Sequence, residues 1–286
     1  MHESMYDVEV KSPLNKFSVL MSVYYKENAT FFKEALDSIL VTQELKPNEF
    51  VLVVDGPVTS ELDAIIEDYE KKYADILRVY RLESNCGLGK ALYFGLNNCS
   101  YNLVARADSD DINSADRFRV QIEEYRNDSS LDVLGSFIDE FYEDCNEPIN
   151  HKIMPTLHDT IVKMSKFRNP INHMTVMFKK SAIIAAGSYE HLPYLEDYYL
   201  WIRVLANGGR FKNIDKNLVH VRVGNGMLKR RSNKNYISSW KKLNQYMIDK
   251  RMIGPFGYLR NIISIIAFIY MPISLKRIAY KVYLRN

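Results

Sequence analysis

Four short apolar runs recur along the first part of the chain, each with a helix-patterned stretch before the next. They are FSVLMSVY (17–24), FVLVVDGP (50–57), LRVYRL (77–82) and NLVARAD (102–108). Apolar runs this short, bounded by Gly, Pro and acidic residues, read as buried strands. After the first, Asn28 is placed to cap a helix whose Phe32, Leu36, Ile39 and Leu40 recur at helical spacing. Residues 59–73 and 89–99 carry two further helical patterns. Strands about 25 residues apart with helices between them make βαβ units and a mostly parallel sheet. Ligands of such sheets bind beyond the carboxyl ends of the strands. If strands one, two and four are neighbours, three polar segments meet there: Tyr24 to Glu27, Asp55, and Asp108 to Asp111.

The last of these, ARADSDD (105–111), is the most demanding stretch in the chain. Like charges held together cost stability unless a cation sits among them. In an extended segment residues i and i+2 point to one side, so Asp108 and Asp110 would aim together with Ser109 facing away. Two convergent carboxylates suit a hard divalent ion whose other positions go to water and phosphate oxygens. The competing reading makes Asp111 and Ser114 the start of the helix containing Asp116-Arg117-Phe118. One of these acids can serve as a cap, but three caps are harder to accommodate, so the metal reading is preferred. Asn85-Cys86-Gly87-Leu88-Gly89, before a helix, would either cradle a phosphate or simply turn and cap.

The second half is less regular. DVLGSFIDEF (132–141) and MTVMFKK (174–180) read as strands. LEDYYLWIRVLANGG (195–209) reads as a helix that begins with two acids, carries Leu200, Trp201, Val204 and Leu205 on one face, and stops at Gly208-Gly209. Asp197, in its first turn, either favours the helix dipole or faces a cleft as a base. The three cysteines, Cys86, Cys99 and Cys145, form no zinc pattern and suggest a reducing compartment. MHESMYDVEVKSPLNK at the start has no apolar core, so no signal peptide is expected and a cytoplasmic location is the default.

The ordered series SVYYKEN, VLVVDGP, NCGLGKAL, ARADSDD followed by DRF, NPINHMTVMF and LEDYYLWIRVL resembles glycosyltransferase family 2, in its bacterial surface-polysaccharide branch of O-antigen or capsule assembly. The resemblance implies a GT-A fold: a Rossmann-like, mostly parallel sheet flanked by helices. It implies a domain over 1–225, with a nucleotide-sugar half near 17–118 and an acceptor half near 130–225. The implied reaction is metal-dependent, inverting transfer of a hexose or N-acetylhexosamine from a UDP-sugar to a polyprenyl-diphosphate-linked saccharide. By position, Tyr24, Glu27, Asp55, Asn85, Arg106 and Asp108 match donor-binding residues, with Asp55 on the uracil. Asp108 and Asp110 match the DxD pair for Mn²⁺ or Mg²⁺. Asp197 matches the catalytic base, and Glu196 and His173 would lie by the acceptor or diphosphate. His173 equally reads as a structural histidine bonded to the backbone. One departure is visible: relatives carry two acids before the Gly, and here Val54 replaces the first. A sugar-nucleotide pyrophosphorylase would want a glycine-rich loop after the first strand, which SVYYKEN lacks. A non-catalytic sugar-binding protein would have no need of the intact acids.

The remaining segment, 226–286, is a basic, helical extension. From Val221 onward there are 14 Lys/Arg and one acid, Asp249, in a chain whose net charge is only +3. Arg230 and Arg231 there could grip a diphosphate. NIISIIAFIYMPISL (261–275) is shorter than the roughly 20 residues that span a bilayer. With its basic flanks it suits an anionic membrane surface, on the inner face of the cytoplasmic membrane, or alternatively a core or homodimer helix. No nucleic-acid partner is expected.

Overall fold

The structure is a computed structural model, and it describes residues 16–224 and 234–272. Three βα units open the chain: β1 (Phe17–Val23), α1 (Ala29–Leu40), β2 (Glu49–Val54), α2 (Ser60–Lys72), β3 (Leu77–Arg81), α3 (Leu88–Asn98), then β4 (Leu103–Arg106). Their sheet order is β3-β2-β1-β4, all parallel. The neighbour relation on which the sequence argument rested is therefore present. The period of two is visible in the packing. Val19, Met21, Leu52 and Val54 join α1 and α2 on one face, while Leu20, Val51 and Val53 meet Ala91, Leu92 and Leu96 of α3 on the other. Both faces are covered, which is why the strands read as continuous apolar runs.

Beyond β4 the sheet changes character. After β5 (Ile112–Asn113) and α4 (Arg117–Asn127) come β6 (Val133–Phe141), β7 (Asn150–Lys152), α5 (His158–Ser165), a 3-10 turn at His173–Thr175, β8 (Met177–Lys179) and α6 (Lys180–Ala185). Then follow α7 (Glu196–Ala206) and β9 (Phe211–Arg222). The order continues β4-β8-β6-β9-β5, with β8 antiparallel to both neighbours and β6 parallel to β9. The sheet is thus parallel in its first half and mixed in its second, within the expected α/β GT-A-like architecture. β9 was not foreseen. Its pairing with β6 jumps from Ser136↔Ile214 to Phe137↔Asn217, so residues of β9 bulge out and the alternation changes phase midway.

α7 differs from its expected one-faced pattern. Leu200, Trp201 and Val204 do face the sheet. Tyr198, Tyr199 and Ile202 on the other side are buried as well, against Trp240, Leu243 and Met247 of α8 (Lys234–Asp249). α9 (Pro255–Tyr270) completes that layer, with Ile265 and Ile269 packed on the same cluster. Asn261 of α9, itself buried, donates to Lys166 O at 2.8 Å and to Asn244 Oδ1 at 2.7 Å. The C-terminal helices are therefore bonded to the body. Among the described residues, no helix is long and apolar enough to cross a membrane.

Helix α3 sits unusually close to the sheet. A Cβ at Gly95 would lie 2.4 Å from Leu20 Cδ1 and 2.7 Å from Val53 Cγ2. Gly95→Ala is expected to destabilise the fold by roughly 1–3 kcal/mol, because the sheet or helix must shift to admit one methyl group. Urea denaturation should show the lower midpoint.

Candidate active site

The carboxyl ends of β1, β2 and β4 open onto one edge, and most of the polar residues marked in the sequence gather there. At the end of β1, Tyr24 and Tyr25 stack edge to face, with centroids 5.7 Å apart and both rings exposed. Asn28 caps α1, its Oδ1 accepting from Thr30 N at 2.9 Å and Phe31 N at 3.2 Å. Glu27 accepts from Asn28 N and from the hydroxyl of Ser109. Ser109, expected to face away, instead ties the acidic segment to the end of β1.

At the end of β2, Asp55 is buried and both its oxygens are engaged. Oδ1 accepts from Cys86 N at 2.7 Å and Oδ2 from Gly87 N at 3.0 Å, while Asn85 Nδ2 donates to Asp55 O at 3.1 Å. Gly56, at φ +83°, would carry a Cβ 2.5 Å from Asn85 N, so only glycine fits. Asp55 thus holds the loop leading into α3, a task the sequence did not reveal. Each oxygen keeps a lone pair for a ligand. The first turn of α3, which follows this loop, reaches the start of α7: a Cβ at Gly89 would touch Glu196 Cγ at 3.3 Å. Burial, with Asp197 adding to it, pushes Glu196 up to about 7.

At the end of β4, Arg106 is buried and donates through Nη2 to Asp108. Its Nε and Nη1 have no hydrogen-bond partner among the described residues. Burial, followed by the charges of Asp108 and Glu27, pushes Asp110 up to about 7. Among the described residues no three His, Cys, Asp or Glu side chains are gathered tightly enough to hold an ion alone. Two repelling, partly buried carboxylates with one arginine committed to the outer acid are what a Mg²⁺- or Mn²⁺-type ion needs when phosphate oxygens complete its shell.

Asp111 is not a helix cap. It lies before β5, is buried, and accepts the backbone N–H of Arg222 at 3.0 Å, joining the acidic segment to the end of β9. Arg222 is held in turn by Glu34 and lies over Phe31 and Phe141. Helix α4 begins at Arg117 after Asp116, whose side chain makes no capping bond. Burial pushes Asp111 well above the usual carboxylate range, helped by Asp108 and Asp110.

In the second half of the chain, Asp197 stands in the first turn of α7 and accepts from Asn169 Nδ2 at 2.6 Å. It lines a cavity of about 730 Å³ together with His173. His173 bonds through Nε2 to the Tyr189 hydroxyl at 2.9 Å, a side-chain partner rather than a backbone one, and burial and Arg106 hold it uncharged. Asn169 and Tyr189 were missed as site residues; the only sequence signal was the NPINH stretch containing Asn169. Arg230 and Arg231 lie outside the described residues.

The α/β fold, with acids gathered at the ends of its parallel strands, is of the GT-A type, and the comparisons give the class of protein. The family model described as Glycosyl transferase family 2 matches residues 18–184. An uncharacterized glycosyltransferase of Haemophilus influenzae is 39% identical, over 95% of this chain and 100% of its own length. An Escherichia coli UDP-Gal:alpha-D-GlcNAc-diphosphoundecaprenol beta-1,3-galactosyltransferase is 38% identical, over 95% of this chain and 97% of its own. The amylovoran biosynthesis glycosyltransferase AmsE of Erwinia amylovora is also 38% identical, over 83% and 88%. Among solved structures, S. aureus TarS 1-349 in complex with UDP-GlcNAc superposes with a TM-score of 0.68 at 18% identity, over 94% of this chain and 76% of that one. The mannosyltransferase PcManGT of Pyrobaculum calidifontis, in complex with GDP-Man and Mn²⁺, gives 0.59 at 12% identity, over 93% and 79%. These structural likenesses establish the fold. The chain belongs to glycosyltransferase family 2 and is a glycosyltransferase.

Removing the Asp111 side chain leaves the Arg222 N–H buried without its acceptor. Asp111→Ala should cost roughly 1–3 kcal/mol of stability, whereas Asp111→Asn, which keeps an acceptor oxygen, should stay near the parent. Thermal melts of the two variants make the comparison.

Proposed function

We propose that this glycosyltransferase moves a hexosyl or N-acetylhexosaminyl group from a UDP-sugar to a saccharide carried on a polyprenyl diphosphate, with inversion, in assembly of an O-antigen or capsule. The observation that supports the reading is the gathering of carboxylates at the end of β4 and at the start of α7. The Asp108/Asp110 pair follows β4 and Asp197 begins α7, and the first turn of α3, entered from the Asp55-held loop, lies against Glu196 beside Asp197. The printed activity of the Escherichia coli relative supports the donor and acceptor classes.

In this reading Tyr24 and Asp55 bound the base pocket, and Glu27 and Asn85 hold its walls. A divalent cation at Asp108 and Asp110 would supply neutralisation of the charge that develops on the departing diphosphate. Asp197, fixed by Asn169, takes the proton from the attacking acceptor hydroxyl. The bond from the anomeric carbon to the acceptor oxygen forms on the face opposite the breaking bond to UDP, so an α-linked donor yields a β-linkage. Glu196, kept protonated more readily by burial, can donate a hydrogen bond within the same cleft. Residues 17–118 serve the donor and 130–225 the acceptor. The extension 226–286 adds α8 and α9 to the acceptor side and keeps the protein peripheral on the inner membrane face.

Metal removal, two substitutions and the product's anomeric configuration test this. Asp110→Ala and excess EDTA should each remove nearly all transfer while the far-UV spectrum is unchanged; full turnover in EDTA would overturn the metal assignment. Asp197→Asn should retain UDP binding and lose about 10²–10⁴ in kcat. NMR of the product should show a β-anomeric proton.

A further inference from the structure

The cavity beside Asp197 is amphiphilic, which a site for sugar alone does not require. Asn169, His173 and Asp197 line one side of it. Trp240 of α8 and Ile265 and Phe268 of α9 line the other. Arg260 also lines it. Its guanidinium donates to Asn261 Oδ1 and Lys166 O and lies over the Phe167 ring, with no carboxylate partner among the described residues. An apolar wall, a guanidinium free of acid partners and a carboxylate base thus share one space. That sequence matches a ligand that is hydrocarbon at one end, diphosphate in the middle and sugar at the other.

The outer face of α9 points to where such a ligand comes from. Phe256, Leu259, Ile263, Ile266 and Tyr270 follow one another at steps of three and four, so they form a single stripe. All five are exposed, Phe256 at 89% and Tyr270 at 74%. The last 37 residues contain seven Lys/Arg and no Asp or Glu. An apolar stripe within a purely cationic segment complements an anionic bilayer surface. At 16 residues α9 is too short to span one. The bonds of Asn261 fix the helix to the body, so its two faces keep a set relation to bilayer and cavity.

We infer that α9 is a partition between membrane and active site: its outer stripe lies in an anionic bilayer, and its inner face receives the first isoprenoid units of the acceptor lipid, with Arg260 on the diphosphate and the saccharide at Asp197. This rests on the lipid-linked acceptor proposed above.

The test uses the intact protein and farnesyl diphosphate as probe. Of the two tryptophans, Trp201 is sealed in the core and Trp240 lines the cavity, so fluorescence reports on the site. Farnesyl diphosphate should produce a saturable change that is absent in Trp240→Phe. Inorganic diphosphate should bind at least about tenfold more weakly. Arg260→Gln and Ala267→Glu, both at exposed positions, should weaken farnesyl diphosphate by a similar factor. The double variant Ile263→Glu/Ile266→Glu should bind the probe normally yet no longer sediment with phosphatidylglycerol vesicles. Parent-like binding by both cavity variants overturns the lipid site. Vesicle binding that survives in the stripe variant, or a stripe variant that merely converts a dimer to a monomer, overturns the bilayer assignment. Probe binding without any transfer to a lipid-linked saccharide would leave the cavity assigned and refute the proposed reaction, whereas transfer without probe binding would do the reverse.

Discussion

One buried guanidinium holds the site together. Arg117, fully buried at the start of α4, donates to Arg106 O at 2.7 Å, Val176 O at 3.3 Å and the side chain of Asn113. These acceptors belong to the end of β4, the segment after the 3-10 turn, and β5. The acidic segment from Asp108 to Asp111 is the short span between two of these anchors. Burial, with Arg106 adding to it, lowers the Arg117 pKa to about 9, so the charge is held at some cost. These three bonds, a fourth from Nε to Gln121 Oε1 at 3.2 Å, and the ring of Phe118 beneath it offset that cost. Without this clamp the acids would have no fixed backbone from which to converge.

The convergence itself works against stability. Asp108, Asp110, Asp111 and Glu27 lie near enough for their charges to act on one another, and Asp110 and Asp111, the more buried by their surroundings, both hold their protons more tightly than an ordinary carboxylate. A raised carboxylate pKa means that ionisation penalises the folded state: stability from these groups is greatest at low pH and falls as pH rises through the folded-state value, near 7 for Asp110. A chain selected for stability alone would not keep four acids here. In the proposed function a divalent cation at Asp108 and Asp110 would offset this repulsion.

The two halves of the fold are linked through the start of α7. Its first turn lies against the first turn of α3, its inward face packs on the sheet, and its outward face packs on α8 and α9. Asp197 is therefore positioned by a helix that α3 and the C-terminal helical layer both contact. Arg203, near the far end of α7, bonds Ala186 O, Ser188 O and Glu190, which steadies the segment carrying Tyr189. Tyr189 in turn holds His173 beside Arg106.

The parallel half of the fold was legible from sequence because its strands are buried on both faces and its helices carry one-sided patterns. Local chemistry there, such as the Asn28 cap and the acids at strand ends, agrees with the final structure. The mixed half was less legible. β9 changes phase at a bulge, and α7 is buried on both sides, so neither shows a clean period. The individual roles of the acids were beyond the sequence too. Asp108, Asp110 and Asp111 stand together in the chain, yet one is paired with Arg106, one is left to its neighbours' repulsion, and one bonds a backbone group 111 positions away. Residue types and local spacing determined the fold class and the gathering of acids at the strand ends. Only the tertiary structure decided which acid faces which partner and what walls the cavity, because those depend on contacts between segments far apart in the chain.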